Sequence, residues 1–372
     1  MEFHNSTITA FYSLLRSGLW EKIVQIDEFD PIDFDILYKL SEEQSVVGLI
    51  AAGLELVEGR KITKKEAVPF LKKVIGLETR NIAMNRFIGT LVDQMRSKEI
   101  FLLLVKGQGI AQCYERPLWR SAGDVDLLLS DSNYQKAKAF LTPMATYIEP
   151  ERNYTRHLGM KIDSWIVELH GSSRCGLSAR IDKELDSIQK EAFVYGDVRV
   201  WKCEGIDVFL PGPDTDIVFV FIHFFNHFYK GGIGLRQICD WCRLLWTYRD
   251  RIIIDLLESR LRKMHLLNEW KAFAAFAVHY LGMPNEAMPL YDSHARWLHK
   301  ADRISRFILK VGSFGKNRDH SYLKKYPYFL RKSISLFRRL GDLFHHATIF
   351  PDSFFFLPVL VYHGLRSAIE ER

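Results

Sequence analysis

The chain has 372 residues, long for one compact unit, and its 48% apolar and 26% charged residues are the mix of a globular protein with a large total core. A net charge of +6 is too mild to imply nucleic acid by itself, and no stretch reaches the roughly 20 apolar residues of a membrane-spanning helix. The opening MEFHNSTITAFYSLLRSG has no basic start followed by an apolar run, so the expected location is the cytoplasm.

In chain order, the first hundred residues carry helical periodicity. Ser41-Glu42-Glu43-Gln44 reads as the capped start of a helix. From Asn81 to Lys98 the residues Met84, Phe87, Ile88, Leu91, Val92 and Met95 recur at the spacing of one helix face. Residues 1–97 are therefore expected to form a helical region.

The pattern then changes. FLLLV at 101–105 predicts a short buried strand, and Lys106-Gly107-Gln108-Gly109 a tight turn entering a helix that ends near Tyr114. VDLLL at 125–129 predicts a second strand, with Ser130-Asp131-Ser132 capping a helix over 133–141. Further strands are expected at 144–149, 156–162 and 164–170, with a hairpin of 198–202 and 206–210 across Glu204-Gly205. Residues 98–212 thus predict an α+β unit with a small mixed sheet. Pro211-Gly212-Pro213 marks the next boundary, and 213–372 return to helix.

Five cysteines, Cys113, Cys175, Cys203, Cys239 and Cys242, are too scattered for a disulfide framework. Cys239-Asp-Trp-Cys242 has a zinc or redox spacing, yet it sits inside a helical pattern without a second pair, and packing is the simpler reading. Between Lys316 and Arg339, eight Lys/Arg face one acid among interleaved aromatics. That stretch is either a solvated helix face or a contact for an anionic surface, including peripheral contact with a membrane.

The chemistry gathers on RSAGDVDLLL. Asp124 and Asp126 are two apart and share one strand face, while Val125, Leu127 and Leu129 take the other. Two carboxylates so close need a counter-charge, most often magnesium. On WIVELHG, Glu168 and His170 share a face and add a third carboxylate and an imidazole if the two strands are neighbours. Three carboxylates on adjacent strands make a site for two Mg2+ ions acting on an NTP. On the later helix, His223 and His227 lie four apart on one face, a spacing able to bind zinc, although no glutamate follows His223 as in a metalloprotease. They read as cleft residues touching nucleotide or acceptor, or as core histidines. Arg236 and Asp240, also four apart, suit a helix ion pair, while Lys230 and Arg236 with the nearby glycines equally suit a phosphate pocket.

A glycine turn at a helix start, a GDxD strand and a single acid on a later strand resemble the polymerase-β-like nucleotidyltransferase superfamily. More narrowly, LLLVKGQGIAQCYERPLWRSAGDVDLLL, with the later VELH and the HxxxH helix, is similar to an uncharacterised nucleotidyltransferase family of bacterial polysaccharide clusters. The likeness is expected over residues 40–250. It implies a polymerase-β-like core, transfer of a nucleoside monophosphate from an NTP to a hydroxyl, and a role in polysaccharide biosynthesis; the acceptor stays open among sugars, glycan intermediates, small antibiotics, proteins and RNA ends, with a glycan or small molecule in front. Asp124, Asp126 and Glu168 become catalytic and metal-binding. Lys106, Gly107, Gly109, Arg120, His170, His223, His227 and Arg236 become candidate nucleotide contacts. Gly107 admits backbone N–H groups to the triphosphate. Lys106-Gly107 stands where the superfamily carries Gly-Ser, which removes a serine contact and offers an ammonium. Arg120 either reaches a phosphate or pairs with an acid. No RNP motif or zinc knuckle appears, which argues against nucleic acid as partner. The alternative is a non-catalytic nucleotide sensor or scaffold working through its helical flanks.

Overall fold

The computed structural model describes residues 2–230 and 232–313 and, beyond them, residues 330, 334, 341, 346–351 and 356. The basic–aromatic stretch 316–339 therefore lies outside the described residues, Leu330 and Ile334 excepted.

The chain opens with α1 (Glu2–Trp20), β1 (Val24–Gln25), α2 (Phe34–Glu43), α3 (Val47–Glu55) and β2 (Val57–Glu58), with β1 and β2 paired in parallel. Helices α1 and α3 cross at glycines. A Cβ on Gly18 would meet the Leu49 carbonyl oxygen at 1.9 Å, and one on Gly53 would meet that of Leu14 at 2.2 Å, so only glycine allows this approach. The helix expected to open at Ser41 instead ends there. Asp33 caps α2, accepting from the N–H groups of Asp35 and Ile36 at 3.0 Å each. Buried Ser41 donates back to the Leu37 carbonyl at 2.6 Å. A serine next to acids is ambiguous between cap and last turn, and the apolar face of Leu37 decided it.

Helix α4 (Lys64–Ser97) is 34 residues long and starts on a Thr63–Glu66 capping box, well before the expected Asn81. Phe70 and Val74 join the helical core, whereas Met84, Ile88, Leu91, Val92 and Met95 lie against the sheet. One helix thereby ties the two cores together.

Then follow β3 (Leu102–Val105), α5 (Gly107–Ala111), β4 (Val125–Leu129), α6 (Asp131–Leu141), β5 (Tyr147–Ile148), β6 (His157–Ile162) and β7 (Trp165–His170). These strands form one sheet in the order β3-β4-β7-β6-β5, with β4 and β7 parallel and the other neighbours antiparallel. The fold is α+β with a small mixed sheet. Strand β5 shrinks to two residues because Thr142–Met144 takes a 3-10 turn at Pro143. Val125, Leu127 and Leu129 pack with the α4 residues and with Tyr134, Ala137 and Leu141 of α6. Leu103, Val105 and Leu128, on the opposite face, meet Ala192 and Phe193 of α7 (Ala179–Tyr195), an element absent from the sequence expectations.

The hairpin β8 (Val198–Cys203) and β9 (Ile206–Pro211) pairs as expected, ahead of α8 (Pro213–Lys230), α9 (Leu235–Tyr248), α10 (Ile254–Met264), α11 (Leu267–Leu281) and α12 (Ala295–Val311). Phe221, Phe224, Phe225 and Phe228 of α8 are fully buried with Trp241 and Trp270. Each such ring contributes on the order of 2–3 kcal/mol of apolar burial. One apolar cluster runs from Phe11 and Ile50 through these rings to Ile304, so the helices before and after the sheet share a core. Cys239 and Cys242 are free thiols packed inside it. No described helix is long and apolar enough to cross a membrane.

Candidate active site

Strand alternation and pairing build the site. On β4, Asp126 shares a face with Leu128. The parallel register sets Asp126 opposite Glu168 and Leu128 opposite His170, while Val105 at the end of β3 lies opposite Asp126 from the other side. Asp124 stands one residue before β4. Ligand oxygens of Asp124, Asp126 and Glu168 lie within 4.8 Å of one another. The neighbouring strands on which the third carboxylate depended are neighbours.

Burial raises Asp124 above the ordinary carboxylate range, and the charges of Asp126 and Glu168 add to it against Lys106 and Arg236. Glu168 goes the other way. Burial opposes its charge, but His157 and His170 donate to it and Lys106 attracts it, so it is held well below the usual range.

Lys106 offsets one of the cluster's charges. It sits between β3 and α5 with φ 57° and ψ −147°, a conformation L side chains seldom adopt, and its Nζ lies 2.6 Å from Asp126 Oδ1. Burial disfavours the ammonium, yet Asp126, Glu168 and Asp124 outweigh it and raise the Lys106 pKa. Its Nζ also stands 3.5 Å from His223 Nδ1. Burial and the ammonium push His223 well below the ordinary imidazole range, so Nδ1 accepts; His227, whose ring lies 4.5 Å from that of His223, is held at about 4 by burial, Lys106 and Lys230. On the sheet side, His170 Nε2 is 2.8 Å from Asp126 Oδ1. Burial lowers the His170 pKa, but hydrogen bonds to Asp126 and Glu168 raise it on balance.

Sequence reasoning missed His157. It opens β6, pairs with His170 and places Nε2 3.1 Å from Glu168 Oε2. A histidine at a strand start carries no signal alone; strand order brings it in.

The remaining candidates divide. Gly107 lies in the turn with φ 43°, and a Cβ there would be 3.4 Å from the Asp124 carbonyl oxygen. Gly109 faces the hairpin, since a Cβ would strike Leu210 at 2.8 Å. Arg120 is buried and pairs with an acid, the second of its two readings. Its Nε and Nη2 each lie 2.7 Å from the Asp240 carboxylate, which also accepts from the Tyr114 hydroxyl at 2.8 Å. That network occupies the Asp240 carboxylate, which the sequence offered to Arg236. Arg236 instead donates through Nη1 to the Ser121 carbonyl at 2.8 Å, and its Nε has no hydrogen-bond partner among the described residues. Burial and the nearby Arg120 lower its pKa. Arg236 also lines a cavity of about 110 Å³ with Leu49, Ala52, Trp119 and Ser121.

A family model described as "Uncharacterised nucleotidyltransferase" matches residues 30–282, a wider span than the expected 40–250. No curated protein and no solved structure matches the chain.

Proposed function

Because the chain belongs to the uncharacterised nucleotidyltransferase family, we propose that it moves a nucleoside monophosphate from an NTP to an acceptor hydroxyl, on a polymerase-β-like core and with magnesium. The observation that carries this reading is the parallel register of β4 and β7, which gathers the oxygens of Asp124, Asp126 and Glu168 within 4.8 Å. An all-oxygen, multiply charged donor set suits a hard cation. Magnesium bound there would polarise the triphosphate and make the acceptor hydroxyl more acidic.

The chain's own groups do the rest. The Lys106 ammonium carries the charge that phosphate oxygens would meet. Arg236 offers a free Nε to a further anionic oxygen, relieving a buried unpaired donor. The turn at Gly107, with φ 43°, is where backbone N–H groups would approach the triphosphate. The acceptor hydroxyl gives its proton to water as its oxygen attacks the α-phosphorus in line, the bond from that phosphorus to the oxygen bridging to the β-phosphate breaks, and pyrophosphate leaves with the electron pair. The cavity beside Arg236 is the acceptor's place in this reading. At about 110 Å³ it has room for the hydroxyl-bearing end of the acceptor rather than for a whole sugar ring.

The test is incubation with α-labelled NTPs and magnesium against a panel of sugars, glycan lipids and small hydroxylated acids. Label transferred with equal pyrophosphate release supports the reading; nucleotide hydrolysed to phosphate without transfer contradicts it. A second reading, a non-catalytic nucleotide sensor, draws on the Lys106–Asp126 contact, which already neutralises one acid. It predicts nucleotide binding that is indifferent to Asp124→Asn.

A further inference from the structure

Glu168 is the meeting point of two donor sets. Towards β4 its neighbours are carboxylates. On its other side are two imidazoles, His157 of β6 and His170 of β7 itself: Glu168 Oε2 is 3.1 Å from His157 Nε2 and 3.5 Å from His170 Nε2, the three ligand atoms lie within 4.8 Å of one another, and His170 Nε2 also stands 2.8 Å from Asp126 Oδ1. Two donors on one first-row divalent ion, bound at about 2.0–2.2 Å with angles of about 90–109°, stand roughly 2.8–3.6 Å apart. Both distances fall in that window.

The scaffold is rigid. His157 and His170 are directly paired across antiparallel β6 and β7, with ring centroids 4.8 Å apart, and Glu168 is two residues from His170 on the same strand face. Magnesium seeks oxygen and avoids imidazole, whereas two imidazoles and a carboxylate suit manganese, iron, cobalt or zinc. We propose that His157, Glu168 and His170 form a binding site for a first-row transition-metal ion, so that the centre is mixed. Magnesium belongs on the Asp124/Asp126 side and the transition ion on the histidine side, with Glu168 between them. This rests on reading the centre as a cation site, and it adds the identity of one ion. If instead the histidines only donate hydrogen bonds to Glu168, no ion would bind through nitrogen.

The test uses the full chain, purified free of metal. Co2+ is titrated by visible absorption and Mn2+ by electron paramagnetic resonance, in wild type, His157→Ala and the more conservative His157→Gln. The expected result is nitrogen-ligated Co2+ bands and nitrogen hyperfine coupling to Mn2+ in wild type, with affinity at least about 10-fold weaker in both variants. Magnesium-dependent NTP binding is measured alongside in wild type, so that the carboxylate side is read independently of the histidines. Equal Co2+ affinity in wild type and folded variants, or Mn2+ without nitrogen coupling, overturns the proposal while leaving the nucleotidyltransferase reading intact. Loss of magnesium dependence in wild type itself would instead sink that reading.

Discussion

Replacing Lys106 by methionine removes the ammonium while keeping an unbranched side chain one atom shorter. The group lost sits 2.6 Å from Asp126 Oδ1, with side chains 17% and 4% exposed. At that distance the attraction is roughly 6 kcal/mol for an effective dielectric near 20, and stripping one partner from a buried pair costs about 3–5 kcal/mol. His170 also holds Asp126, so the lower end, about 3 kcal/mol, is expected. Lys106→Gly should lose about 1 kcal/mol less, because glycine relieves the strain of φ 57°. Urea denaturation followed by circular dichroism in EDTA gives both values. Repeating it with MgCl2 should recover most of the loss in Lys106→Met, since a cation can then stand where the ammonium stood, and should alter wild type less. Lys106→Met as stable as wild type in EDTA, or no recovery with magnesium, would refute the argument that the ammonium acts as the cluster's counter-ion.

Asp240→Asn, like Arg120→Met, breaks a buried bidentate pair and should cost about 3–5 kcal/mol in urea melts, while NTP affinity of the folded protein stays at the wild-type value. His223 and His227 are neutral in the folded protein, with His227 at about 4. Unfolded histidines take protons first, so stability from these groups is full above about pH 6.5 and falls as pH drops towards 4. His227→Gln should flatten that limb in denaturation at stepped pH. Asp124→Asn should leave stability equal or higher at pH 7, because burial and like charges disfavour the aspartate, and the difference should vanish near pH 4. Chemical denaturation at the two pH values checks the sign.

Much of the sheet was legible because its strands alternate. VDLLL and WIVELH show their faces by period two, and once paired they set Asp126 beside Glu168. Strand order was not legible, since nothing in RHLGMKI announces β7 as its partner; His157 was missed for that reason. Helix α7 was legible and passed over. Ser178 caps it, and Ile181, Leu185, Ile188 and Ala192 repeat at helical spacing. Arg120 shows the limit from the other side. Four residues from Asp124, it reads as either a phosphate contact or one half of an ion pair, and the acid that decides between them, Asp240, lies 120 residues further along the chain. Gly109 reads as part of a phosphate turn, and its second constraint, the closeness of Leu210, is set by the hairpin and has no local signal.

The most direct measurement is isothermal titration of ATP, GTP, CTP and UTP into metal-free protein with and without MgCl2, in wild type and Asp124→Asn, a variant expected to stay folded. The account predicts at least one NTP bound by wild type only with magnesium, and at least about 10-fold weaker binding in the variant. Binding that is equal with and without magnesium, or equal in the variant, would contradict the carboxylate cluster as the nucleotide's metal site.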